Sequence, residues 1–172
     1  MQNEEQNEYH CQPILDAHHD AGRSILVPVD HSAHSKHAFD WVLSYLCRPH
    51  DTLHLLHVLP DGPKDKSFNV PEDSPRALFE STSALMERFA VKAYEAAMVK
   101  TEVLILTGGE VGKVIVQEAR RINPIAVVMG KNNRGLIKSV LHGSVSEYCS
   151  HHCPCPLVLV PPKETCDQSN AT

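Results

Sequence analysis

SILVPVD at residues 24–30, followed directly by HSAHSKHAFDWVLSYLC at 31–47, decides the fold. The first segment is an apolar run without polar alternation that ends in an acid, the pattern of a short strand buried on both faces. In the second, Ala38, Trp41, Val42 and Tyr45 recur at helical spacing, and Ser32 stands where an N-cap belongs. A buried strand runs straight into an amphipathic helix.

The unit repeats along the chain. DTLHLLHVLP (51–60) reads as a second strand, and the Pro-rich, charged loop DGPKDKSFNVPEDSP (61–75) follows it. Ser74 and Pro75 then give a cap and a first-turn proline for a helix expected to reach about residue 100. TEVLILTG (101–108) is a third strand. Val111, Val114, Ile115, Ala119 and Ile122 mark one face of a helix stopped at Asn123-Pro124. IAVVMG (125–130) and PLVLVP (156–161) complete five strands. Strands alternating with helices predict an α/β, doubly wound, three-layer sandwich on a parallel sheet with right-handed crossovers. The winding must reverse once, and ligands in such sheets lie beyond the carboxyl ends of the strands at that reversal. Asp30, Val58, Gly108 and Gly130 hold those positions.

Composition bounds the function. The 172 residues, 42% hydrophobic, suit a single domain, expected over 23–163, with a disordered extension at 1–22 and a flexible tail at 164–172. A formal net charge of −5, no long Lys/Arg run and few aromatics argue against a general nucleic-acid binder. The acidic, polar start and the lack of any run of ~20 apolar residues predict a cytosolic or nuclear protein with no membrane partner and with reduced thiols. Charging all 12 histidines would carry the net charge from −5 to +7 as pH falls through roughly 6.5. Cys149, Cys153 and Cys155 crowd around His151 and His152, but a zinc site usually has two separated ligand pairs and here there is one cluster.

Other local patterns compete for the site. GGEVGKV (108–114) lies between strand and helix but has three residues between its outer glycines and Val114 where a P-loop needs a hydroxyl, so it reads as a plain turn. HSAH (31–34) approaches the paired histidines of nucleotidyltransferases, with Ala33 in place of glycine. No G-x-S-x-G elbow is present. MGKNNRGLIKSVLHGSVSEYC (129–149) leaves the fourth strand at Met129 and Gly130, carries Lys131, Arg134 and Lys138, and starts a helix at Gly143-Ser144 whose free N–H groups favour an anion. Ser144-x-x-Glu147 is also a capping box, which asks for no ligand.

Together, ILVPVDHSAHSKHAFDWVL, LHLLHVLP and GSVSEYCSHHCPCPLVLVP make residues 24–161 resemble the universal stress protein family, specifically small plant-type members. Its nucleotide-binding branch carries G-x-x-G, nine residues, then G-[ST]; Gly130, Asn133 and Gly143-Ser144 fall on those positions. The resemblance implies strand order 3-2-1-4-5, an adenine nucleotide alpha-hydrolase-like fold, and a homodimer paired through the last strand between Pro156 and Pro161. It implies that Pro28, Val29, Asp30 and Val58 lie at the adenine, and that Met129, Gly130, Asn133, Arg134, Gly143, Ser144 and Val145 lie around ribose and phosphates. The expected ligand is ATP, or AMP or ADP, with Mg²⁺ at the phosphates.

Asn133 replaces the second glycine. Asn tolerates positive φ better than other non-glycine residues, and its amide can donate to a phosphate, so the cradle is expected to bind. The expected function is nucleotide binding in stress response or signalling, with no catalytic residue and at most slow hydrolysis. Two alternatives stand beside it: a dimeric interaction or chaperone-like module whose cradle Asn133 blocks, and a nucleotidyltransferase using His31 and His34.

Overall fold

The computed structural model describes residues 22–60, 75–131 and 145–163. Five strands, β1 (Ser24–Pro28), β2 (Thr52–Leu59), β3 (Lys100–Thr107), β4 (Ala126–Gly130) and β5 (Leu157–Val160), form one parallel sheet in the order 3-2-1-4-5. Between them run α1 (Ala33–Trp41), α2 (Pro75–Ala97), α3 (Val111–Ile122) and α4 (Val145–His152). The predicted doubly wound architecture is the observed one, with each expected element present and its ends shifted by a few residues. Ser74, Asn133, Arg134, Gly143, Ser144, the tail and residues 1–21 of the expected extension lie outside the described residues.

Strand period two divides the core between the two faces of the sheet. Ile25, Val27, Leu53, Leu55 and Val128 point to one face, where Phe39 and Val42 from the first helix and Met86, Phe89 and Ala93 from α2 cover them. Leu26, Leu56, Val127 and Met129 point to the other, under Ile115, Val116 and Ala119 of α3 and Cys149 of α4. This division follows from chirality. Right-handed crossovers place α1 and α2 on one face while the chain moves from β1 to β3, and place α3 and α4 on the other as it returns from β3 to β4 and goes on to β5. The reversal therefore lies between β1 and β4.

The helix signals have clear structural origins. Ser32 caps α1, its Oγ accepting the Ser35 N–H at 3.1 Å. α3 ends at Asn123, which takes a left-handed φ of 51°, immediately before Pro124. The expected face of α1 needs correction: Ala38 and Val42 are buried with Phe39, whereas Tyr45 is 76% exposed. The last turn widens into a π-turn over Val42–Leu46, closed by the Cys47 N–H on the Val42 carbonyl at 2.9 Å. Tyr45 instead lies against Trp41, with ring centroids 5.7 Å apart.

Candidate functional site

A cavity of about 720 Å³ opens at the carboxyl ends of the strands. Pro28, Val29 and Asp30 enter it from the end of β1, Val58 from β2, Met129 and Gly130 from β4, and Val145 from α4. These are all seven described residues that the family resemblance places at the nucleotide; Gly108, expected at the same crevice from its place after β3, is not in the lining. Val111 and Ile115 on α3 and Ser146 on α4 bring the starts of two helices to the same opening, and Lys131 adds a cation just after β4.

The loop after β1 is built from interlocked short hydrogen bonds. The Asp30 N–H donates to Ser35 Oγ at 2.9 Å, and Asp30 Oδ1 accepts the Ser32 N–H at 2.8 Å. Ser32 and Ser35 thus use their hydroxyls to fix the turn, and the Asp30 carboxylate is anchored at the rim by one oxygen. His34, on α1, lies along the same wall.

Gly130 has a packing reason for being glycine. A Cβ there would come within 2.4 Å of the His34 carbonyl oxygen, so the missing side chain lets the first turn of α1 rest on the end of β4. Similarly, a Cβ on Gly112 would meet the Tyr148 ring at 2.9 Å, which makes that glycine a packing device between α3 and α4. Lys113, in the segment read as a plain turn, pairs with Glu110 at 2.7 Å and is not part of the cavity lining.

His57 is the site residue that the sequence reading missed. It is buried, lines the cavity, and its Nδ1 lies 2.8 Å from the Val29 carbonyl oxygen. Burial lowers its pKa below the usual histidine value, with the nearby His31 acting in the same direction against the bond to Val29 and the charge of Asp30. The signal was in LHLLHVL: His54 and His57 are three apart, so a strand must turn them to opposite faces, and His57 stands at the carboxyl end. His54 lies at the other end of β2, beside Ser24 and Glu102.

His31 is not in the lining; its ring meets His57 edge-on at 5.9 Å. The Cys/His cluster at 149–155 also lies elsewhere. Cys149, Cys153 and Cys155 pack against the α3–α4 core, and burial pushes the Cys149 thiol up to about 12. His152 turns away to stack on Tyr148, its Nδ1 2.8 Å from the Tyr148 carbonyl. Among the described residues no group of three or more His, Cys, Asp or Glu side chains converges to hold a metal.

Residues 22–161 match the model of the universal stress protein family. The chain belongs to that family. This universal stress protein is 30% identical over 162 residues to universal stress protein PHOS34 of Arabidopsis thaliana, an alignment covering 81% of this chain and 62% of that one. The chain thus spans less than two thirds of that relative's length. A universal stress protein A-like protein of Arabidopsis thaliana is 33% identical over 137 residues, covering 73% and 77% of the two chains. Among solved structures, a universal stress protein family protein from Arabidopsis thaliana with AMP bound superposes with a TM-score of 0.57 at 26% identity, covering 87% of this chain and 97% of that one. Among the described residues no helix is long and apolar enough to cross a membrane.

Proposed function

We propose that this universal stress protein binds an adenine nucleotide, ATP or its mono- and diphosphate, in the cavity at the β1–β4 reversal, and acts in stress response or signalling as a cytosolic or nuclear homodimer. The observation that carries the reading is the convergence of Pro28, Val29, Asp30, Val58, Met129, Gly130 and Val145 on one cavity at the topological switch point. The AMP bound to the Arabidopsis relative supports the same ligand class. Phosphates fit the end formed by Lys131 and the first turn of α4, where a cation and the positive end of a helix dipole coincide. Asn133, Arg134, Gly143 and Ser144 complete that end in the proposal, and Mg²⁺ bound with the nucleotide would offset the phosphate charge there.

The site is proposed to bind with little turnover. Ser32 and Ser35 use their hydroxyl oxygens to accept backbone N–H groups, and among the described residues no hydrogen bond joins either hydroxyl to His57, so neither serine is set as a nucleophile with its base. Binding without preferential transition-state stabilisation gives no rate.

Titration calorimetry of nucleotide-stripped protein with ATP and Mg²⁺ tests the proposal. Saturable binding at one nucleotide per chain is expected in the wild type. No binding at millimolar ATP overturns the reading, and binding gained only in Asn133→Gly would assign the wild type to the interaction-module alternative.

A further inference from the structure

The chemistry of the two cavity ends differs. Lys131 and the start of α4 favour anions at one end, while Val29, Leu56 and Val58 wall the other beside the Asp30 carboxylate, which repels phosphate. A nucleotide entering this cavity therefore sends its phosphates toward Lys131 and its base toward His57.

His57 meets that base in a defined tautomer. The Val29 carbonyl can only accept, so Nδ1 at 2.8 Å carries the hydrogen, and the neutral ring keeps its lone pair on Nε2. Nothing among the described residues hydrogen-bonds Nε2, and it is not one of the enclosed, unpartnered nitrogens. We propose that His57, locked by Val29, is the specificity-determining residue that separates 6-amino from 6-oxo purines, with Nε2 accepting a hydrogen bond from the exocyclic amine. This rests on the nucleotide-binding reading above. A 6-oxo purine would set its carbonyl oxygen against the Nε2 lone pair, leaving two desolvated acceptors opposed.

The same geometry makes the selectivity pH-dependent. Among the described residues, the titratable groups around the ring are Asp30 and His31 at the end of β1, with His34 of α1 and Lys131 after β4 in the same cavity wall. Burial keeps His57 neutral at pH 7.5, because its pKa lies below the usual 6.5. Protonation turns Nε2 into a donor, which suits a 6-oxo group and opposes an amine.

The test compares ATP with inosine triphosphate, which carries a 6-oxo group in place of the amine and a hydrogen on N1; His57→Phe separates the part of the preference that His57 sets from any read at N1. Calorimetry on the wild type at pH 7.5 is expected to show ATP bound roughly tenfold or more tightly. His57→Phe should bring the two affinities together, with circular dichroism confirming the fold; an unchanged ratio in the folded variant overturns the inference. Should His57→Phe not fold, the wild type suffices. Its ATP-to-inosine preference should fall as pH is lowered through the His57 titration, followed by the ¹⁵N shift of the ring. A constant ratio while the ring titrates overturns the role of His57. Failure of both nucleotides to bind would instead overturn the nucleotide reading itself.

Discussion

Asp51 shows how one buried charge is held in place. Only 2% exposed, its carboxylate accepts from Arg23 Nε at 3.0 Å, from the Arg48 N–H at 2.8 Å and from the Arg23 N–H at 3.1 Å. Burial alone would raise its pKa, but the bonds from Arg23 and Arg48 outweigh burial and leave it lowered. The folded pKa thus lies below the unfolded value of about 3.9, so the stabilisation is fully present at neutral pH and is lost as pH falls through the folded value. Asp51→Asn is expected to lower stability by about 3 kcal/mol at pH 7, measured by urea unfolding. The gap from wild type should narrow below pH 4. A gap as large at pH 3 as at pH 7 would show that the carboxylate charge is not what stabilises the turn.

At the scale of elements, the contact between α3 and α4 connects packing to the cavity. Gly112 accommodates Tyr148, and the turn of α4 preceding Tyr148 supplies Val145 and Ser146 to the lining. Gly112→Val should cost about 1–3 kcal/mol through overpacking and weaken nucleotide binding as α4 is displaced. Tyr148→Ala in the same chain should relieve much of that cost; strictly additive losses in urea unfolding would show that the two residues do not clash. Neither partner is obvious before folding, since GGEVGKV and SEYCSHH look like a turn and a polar helix start. The strands were legible for a physical reason. A strand buried on both faces must be apolar throughout, and SILVP, TLHLLHVL, AVVMG and LVLV are nearly so. Strand positions then located Asp30, Val58 and Gly130 in the cavity, whereas Gly108, chosen by the same rule, lies outside the lining. Tyr45 left the expected core because a π-turn broke the 3.6-residue period after Trp41, and His57 was hidden because a histidine in an otherwise apolar buried strand resembles core.

Across the whole molecule the parallel sheet leaves two edges, and they differ. On β3, Lys100 and Glu102 form an exposed ion pair that charges the amino-terminal part of the edge. On β5, the Val127 N–H donates to the Pro156 carbonyl and the Lys131 N–H donates to the Val160 carbonyl, so the even-numbered residues turn their backbone groups toward β4. Leu157 and Leu159 therefore present N–H and C=O to the edge that no described strand pairs, and the Leu159 side chain is 39% exposed. This is the edge through which the proposed homodimer would pair. Leu159→Pro probes it specifically: proline removes an outward N–H and no bond to β4, a position where an edge strand tolerates it. Light scattering coupled to size exclusion is expected to give a dimer for the wild type and a monomer for Leu159→Pro with its circular dichroism spectrum retained. A variant that remains dimeric would move the interface away from β5, and a monomeric wild type would remove the dimer from the proposal.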